Sequence, residues 1–358
     1  MNYLSRQQTF QRAVESERLD AFIVTHPPNL RYLCGYTGSN GLLLFADGRR
    51  TFFTDGRYTQ QAREDVSGAR VLIAKGALLA AAAQRLTSKR RLRLGFESDA
   101  TTVAAAAGMR NALPSNVAPK AVAGLVMRQR LVKDEDELRE MRTAVVLGAT
   151  VYRKAIEQLR PGVRESEIAG QLEFAAREAG ADGMSFETIV ASGKRSALPH
   201  GRASSEPIPG RGFVVIDSGV ILRGYCSDMT RTLHVGRAGR EERKWYEAVL
   251  EAQLAGIAAV KPGKTAGKVD QACRQVLRRA GLDRYFTHST GHGVGLEIHE
   301  PPRLGKGQTD ELRPGMVVTI EPGVYIPGRG GIRIEDMVLV TETGCEVLTP
   351  VDKELVEI

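Results

Sequence analysis

Cysteine and tryptophan are scarce in this chain, and long apolar runs are missing altogether. Among 358 residues there are four cysteines and one tryptophan. Cys34, Cys226, Cys273 and Cys345 are widely separated with no CxxC pair, which excludes a zinc knuckle and leaves no disulfide framework to read. Thiols used this sparingly suit a reducing cytoplasm, which is the expected location. No hydrophobic stretch approaches the ~20 residues a transmembrane helix needs, so no membrane partner is expected. The segment MNYLSRQQTFQRAVESERLDAFIV is charged and amphipathic, without an apolar stretch leading to a small-residue cleavage site, so a cleaved secretion signal is not expected either.

What is present describes a folded chain. Hydrophobic residues make up 42% and charged residues 26%, a composition that excludes disorder, and the length accommodates two domains with separate cores. The net charge of +8 raises the question of nucleic acid. The arginines are scattered, however, and the one dense cluster, Lys89-Arg90-Arg91-Leu92-Arg93, has no aromatic residues between its charges. It reads as a solvated turn before a buried strand at 92–96, and no nucleic-acid partner is expected.

Periodicity organises the first part as a small α/β domain: a helix over 5–18, a strand over 21–25, a hairpin over 41–54, a polar helix opening at Asp55-Gly56-Arg57-Tyr58, a helix over 77–86 and a strand over 118–126. The boundary falls near residue 128, giving domains 1–127 and 128–358. The second domain opens on Asp134-Glu135-Asp136-Glu137, acidic charge that complements the dipole of a long helix, which stops at Arg160-Pro161-Gly162. Leu159-Arg160-Pro161-Gly162 followed by Ala179-Gly180 is echoed by Val260-Lys261-Pro262-Gly263 followed by Ala280-Gly281, as two pseudo-equivalent halves would require.

Beyond residue 185, apolar strands end in carboxylates. Phe213-Val214-Val215-Ile216 leads into Asp217, and Tyr225-Cys226-Ser227 into Asp228; if the two segments pair as a hairpin, the two aspartates can face one another. Val317-Val318-Thr319-Ile320 leads into Glu321, and Gly331-Ile332-Arg333-Ile334 into Glu335. Four buried carboxylates repel one another and each loses hydration, a conflict that a pair of divalent cations resolves. Three of the six histidines, His288, His292 and His299, fall within one short glycine-rich segment, and His200 follows Pro199. One imidazole completes an oxygen-dominated two-metal site of a kind that favours Mn2+, with Co2+, Fe2+ or Zn2+ as alternatives. The other histidines are then free to move protons.

These motifs resemble those of the metallopeptidase family with the pita-bread fold, which contains methionine aminopeptidase, prolidase and aminopeptidase P. The segments that carry the resemblance are Asp217-x-Gly219, Ser227-Asp228-x-Thr230-Arg231, Gly291-His292-Gly293-x-Gly295, Ile320-Glu321-Pro322-Gly323 and Arg333-x-Glu335. The implied fold is α+β, a C-terminal pita-bread domain preceded by a smaller creatinase-type α/β domain. The resemblance implies that Asp217 chelates one metal, that His292 and Glu321 bind the other, and that Asp228 and Glu335 bridge both. It implies a homodimer acting on proline-containing peptides, and it places His200, His288 and His299 as substrate-binding and proton-shuttling histidines, Arg333 as an arginine supporting the catalytic site, and Tyr325 as a substrate-site tyrosine. On this reading Glu321 accepts the proton of the attacking water, His299 or His200 stabilises the oxyanion, and His288 helps to hold the substrate.

Two signals bear on substrate length. Tyr32 to Gly41 and Asp55-Gly56-Arg57-Tyr58 resemble aminopeptidase P, which removes the first residue of longer Xaa-Pro peptides. Arg303 instead resembles a prolidase arginine that holds the free carboxylate of a dipeptide. The longer resemblance makes an Xaa-Pro aminopeptidase the expectation and an Xaa-Pro dipeptidase the alternative. A catalytically inactive peptide-binding relative is the alternative of another class.

Overall fold

The computed structural model describes residues 1–358, which divide into two compact units, Met1–Arg130 and Leu131–Ile358. In the first, α1 (Tyr3–Ser16) is opened by the Asn2 side chain accepting from the Ser5 amide. There follow β1 (Ala21–Val24), α2 (Pro27–Cys34), β2 (Leu42–Ala46), β3 (Arg49–Thr54), α3 (Thr59–Asp65), β4 (Arg70–Ile73), α4 (Leu78–Ala83), β5 (Leu92–Glu97), α5 (Val103–Ala112), β6 (Val117–Val122) and the short α6 (Met127–Arg130). The strands form one mixed six-stranded sheet in the order β4-β3-β2-β1-β5-β6. Phe10 of α1 packs edge-on against Phe22 and Phe45, fixing that helix to the sheet. The β2–β3 hairpin turns through Asp47 and Gly48, both at positive φ, the conformation that an Asp-Gly turn supplies. Arg130 Nη1 donates to Asn29 Oδ1 within this unit, so α6 belongs with it and the division falls three residues beyond the expected boundary.

The second unit begins with α7 (Glu135–Ile156), whose start is a reciprocal cap: Asp134 accepts from the Glu137 amide while the Glu137 carboxylate accepts from the Asp134 amide. Next come α8 (Glu165–Glu178), β7 (Gly183–Met184), β8 (Ile189–Ser192), β9 (Gly212–Ser218), β10 (Val220–Leu222), β11 (Tyr225–Cys226) and β12 (Met229–Val235). The chain then repeats the scheme with α9 (Arg240–Ala259), α10 (Ala266–Arg279), β13 (Gly291–Gly293), β14 (Glu300–Leu304), β15 (Val317–Ile320), β16 (Gly323–Ile326), β17 (Gly330–Arg333), β18 (Asp336–Val340) and β19 (Cys345–Val347). The internal echo is real at the backbone level: Gly162 and Gly263 occupy left-handed conformations between paired helices, as do Gly180 and Gly281 after them.

Two cores accompany the two halves. One gathers Ile168, Leu172 and Ala176 of α8 with Val190, Val214, Ile216 and Leu233; the other gathers Val249, Ala252, Val269 and Leu277 of α9 and α10 with Val318, Ile320, Ile334 and Val338. Strands β9 and β12 pair antiparallel, as do β15 and β18. All four cysteines carry free thiols. No helix is long and apolar enough to cross a membrane.

Candidate active site

The four carboxylates stand where strands stop. Asp217 lies near the end of β9, Asp228 in the gap between β11 and β12, Glu321 between β15 and β16, and Glu335 between β17 and β18. At the last two gaps the chain leaves one sheet for another, since Ile320 pairs with Asp336 in a five-stranded sheet and Gly323 pairs with Arg333 in a separate two-stranded one. The side chain in each gap is thereby released from the alternating pattern of either strand. The hairpin that joins β9 to β12 forms, but the residue opposite Asp217 is Thr230 rather than Asp228.

All five expected metal ligands line one cavity of about 960 Å³, together with His200, His288, His299, Arg303 and Arg333. One ligand atom each from Asp228, His292 and Glu335 falls within 4.8 Å of the others. His292 Nε2 lies 3.6 Å from Asp228 Oδ2 and 3.5 Å from Glu321 Oε1. Burial drives the carboxyls upward: Asp228 and Glu335 sit well above the ordinary carboxyl range, first through desolvation and then through each neighbouring carboxylate, and Glu321 is pushed up to about 7.

Three observations match this donor set to divalent cations. His292 Nδ1 faces the Gly293 carbonyl at 2.9 Å and must donate to it, since a carbonyl only accepts. Desolvation draws this imidazole down to about 4, so the ring is neutral and its Nε2 lone pair points at two carboxylate oxygens. Lone pair against carboxylate is repulsive unless a cation is shared between them. Asp217 Oδ1, finally, is buried with no hydrogen-bond partner, while Oδ2 accepts from Arg333 Nη2 at 2.7 Å.

Hydroxyl groups that the sequence motifs left without a role organise these carboxylates and His292. Thr230 Oγ1 accepts from Arg333 Nε and donates to Glu335 Oε2. Thr319 Oγ1 accepts from the His292 amide at 3.1 Å and donates to Glu321 Oε1 at 3.3 Å. Asp336, held by Arg231, Gln253 and Lys353, pins the chain immediately after Glu335, and the Glu335 carbonyl accepts from Arg231 Nη1. A threonine buried at alternate positions of an apolar strand is the only sequence signal such residues give.

The remaining expected residues occupy two layers. His200, His299 and Arg303 are exposed on the cavity wall; the His299 ring packs edge-on against His292 with centroids 4.4 Å apart, and Arg303 Nε donates to Ser289 Oγ at 2.6 Å. Tyr325 does not line the cavity: it is buried, its hydroxyl accepts from Arg333 Nη1 at 2.7 Å, and burial pushes it up to about 12. His288 has both ring nitrogens engaged, Nδ1 with the Ser289 carbonyl and Nε2 with the Tyr325 hydroxyl, and burial draws it down to about 4. The carbonyl requires Nδ1 to donate, so Nε2 accepts from Tyr325. A continuous chain therefore runs from Arg333 through Tyr325 to His288.

Comparison with known proteins agrees with this geometry. Residues 139–342 match metallopeptidase family M24, and residues 6–132 match the creatinase/prolidase N-terminal domain. An Xaa-Pro dipeptidase of Pyrococcus furiosus is 44% identical over 236 residues, spanning 66% of this chain and 68% of that protein. The solved structure of an Xaa-Pro dipeptidase from Bacillus anthracis superposes with a TM-score of 0.95 at 38% identity, covering 100% of both chains. That of an X-Pro aminopeptidase from Thermotoga maritima gives 0.90 at 33% identity, covering 97% of this chain and 100% of the other. A carboxylate-rich site at the strand breaks of two repeated halves, in a chain whose first part is an α/β domain of the creatinase/prolidase type, places this protein in metallopeptidase family M24.

Proposed function

We propose that this chain is an Xaa-Pro dipeptidase. The reading rests on Arg303, a guanidinium on the wall of the cavity that holds the carboxylate cluster, anchored through one nitrogen to Ser289 and otherwise open to receive a carboxylate. The dipeptidases among the relatives support the same direction, while the Thermotoga maritima aminopeptidase stands for the rival. The segments that favoured the aminopeptidase expectation bond to one another inside the first unit: Asn40 Nδ2 donates to Asp55, Arg57 Nε to Asp55, and Ser39 and Tyr58 share a hydrogen bond of 2.6 Å. Such a self-contained network accounts for their joint occurrence without reference to substrate length, so the expectation gives way to its alternative.

Asp217, Asp228, His292, Glu321 and Glu335 would hold two divalent cations, Mn2+ being our reading of an oxygen-rich set with one imidazole. The cations supply Lewis acidity toward the scissile carbonyl and acidify the attacking water. Glu321 takes the proton from that water and returns it to the departing proline nitrogen. His299 and His200, on the open wall, stabilise the oxyanion. Arg333 and Tyr325 hold Asp217 and His288 in place from behind. Proline lacks an amide hydrogen, so recognition depends on the shape of the cavity and on the terminal charge rather than on a backbone hydrogen bond. A homodimer completes the reading, carried by the family resemblance alone.

The test is turnover of Ala-Pro against Ala-Pro-Ala by metal-reconstituted protein and its Arg303→Ala variant. A dipeptidase cleaves Ala-Pro in preference, and the variant loses on the order of 1.5–3 kcal/mol in kcat/KM for the dipeptide alone. Efficient release of alanine from Ala-Pro-Ala, with Arg303→Ala affecting both peptides alike, restores the aminopeptidase reading.

A further inference from the structure

The positive charge of this protein belongs to one of its two units. Residues 1–130 contain 19 lysines and arginines against nine aspartates and glutamates, whereas residues 131–358 contain 31 against 33. The net charge of the whole chain therefore originates in a unit that supplies none of the carboxylate cluster, and charge segregated in this way marks a surface for an anionic partner.

The sheet register concentrates part of it. Across β2, β3 and β4 the residues Leu42, Phe53 and Leu72 form one transverse row; the next row on that face is Leu44, Thr51 and Arg70, and the one after it holds Ala46 and Arg49. One face of the sheet thus passes from core to guanidinium within two steps. A cavity of about 530 Å³ opens at that transition, with Leu44 and Leu72 on its wall, Arg49, Arg50 and Arg70 contributed by the strands, and Arg85 by the turn after α4. Asp47 is its single acidic residue, and none of the four arginines takes part in an ion pair or side-chain hydrogen bond.

We propose that this cavity is a binding site for a small oxyanion-bearing metabolite, phosphate or carboxylate, whose apolar portion rests on Leu44 and Leu72. The planar forks of several arginines match the paired oxygens of such a group, and the cavity holds a ligand of nucleotide size rather than a macromolecule. The site is independent of the peptidase reading, because it uses no residue of the second unit.

Calorimetric titration of the full-length, metal-loaded protein tests it with three probes: AMP, glutarate and adenosine. Saturable one-to-one binding of AMP or glutarate, with no binding of neutral adenosine, is expected, and the responding probe identifies the oxyanion. Arg70→Ala and Arg85→Ala should each weaken that binding about tenfold, while Arg91→Ala, outside the cavity, leaves it unchanged, and Ala-Pro hydrolysis stays at the wild-type rate in all three variants. Thermal unfolding of each variant confirms that it is folded. The proposal is overturned if neither anion binds saturably, if Arg91→Ala weakens binding as much as Arg70→Ala does, or if a short oligodeoxythymidine binds in a manner AMP does not displace.

Discussion

A single guanidinium ties the candidate site together. Arg333 donates to Thr230 Oγ1, the Pro199 carbonyl, the Tyr325 hydroxyl and Asp217 Oδ2, and its side chain is almost fully buried beside its ion-pair partner. Lysine cannot reproduce that fork, so Arg333→Lys should leave Asp217 under-satisfied in a buried setting. We expect it to lose on the order of 3–5 kcal/mol of stability and most of its turnover; unfolding and Ala-Pro hydrolysis near those of the unsubstituted protein would show that Asp217 is positioned by something else. His299 poses the opposite case, since it is exposed on the wall and has no part in the carboxylate cluster. His299→Ala should bind both metals, as read by elemental analysis, yet turn over Ala-Pro about 10²–10⁴-fold more slowly. Loss of metal in that variant would place the imidazole among the ligands. At this scale the carboxylates stood out in the sequence because an acidic residue closing an apolar strand conflicts with burial, whereas His292 was singled out from the other histidines only by the resemblance of its glycine-flanked motif. Thr230 and Thr319 were not, because threonine is an ordinary strand residue and only proximity gives its hydroxyl a role.

Elements contribute by ending. The gaps between β15 and β16 and between β17 and β18 bring Glu321 and Glu335 out of their ladders, and β13 delivers His292 from a three-residue strand squeezed between β14 and β15. That squeeze demands glycine: a Cβ on Gly291 would fall 1.9 Å from the carbonyl oxygen of Thr319, a backbone atom that cannot swing aside. Gly291→Ala must therefore separate β13 from β15 and displace His292 with it. A loss of about 1–3 kcal/mol is expected, together with weaker metal binding, measurable by denaturant unfolding and metal titration. A variant with normal stability and normal metal affinity would show that the strands do not approach as closely as described. Where sequence patterns named an element they placed it within a few residues, as with the hairpin over 41–54 and the acidic start of α7. They misjudged the register of the β9–β12 pair, because a hairpin whose connection itself contains a small strand pair, β10 with β11, sets its register through geometry that spacing does not encode.

At the scale of the whole molecule, the second unit carries buried charge that folding alone leaves uncompensated, and pH exposes it. In a chelator-stripped sample Glu321 titrates near 7 and Asp228 and Glu335 stand above their ordinary values, so between about 4.5 and 7 the folded state holds more protons than the unfolded one and their contribution declines as pH rises. His288 and His292, drawn down to about 4, act in the other sense: the unfolded chain binds the extra protons between 4 and 6.5, and their contribution is complete above that window. From about pH 6.5 to 8 the carboxyls act unopposed, and the stripped protein should lose on the order of 1 kcal/mol, seen as a falling Tm. Saturating Mn2+ should raise the Tm and remove that slope, because the cation takes the place of the protons. A stripped protein whose Tm rises across the same window would contradict the clustered burial of these groups. Sequence by itself determined that the chain has two units, that the second repeats its helix punctuation, and that carboxylates terminate its strands, since periodicity, glycine and proline positions and buried charge are local properties of the chain. The tertiary structure alone decided that Thr230 faces Asp217, that Tyr325 stands behind the cavity wall rather than in it, and that Arg49, Arg50, Arg70 and Arg85 meet at one cavity, because contacts between residues far apart in the chain depend on strand register and packing, which no short segment specifies.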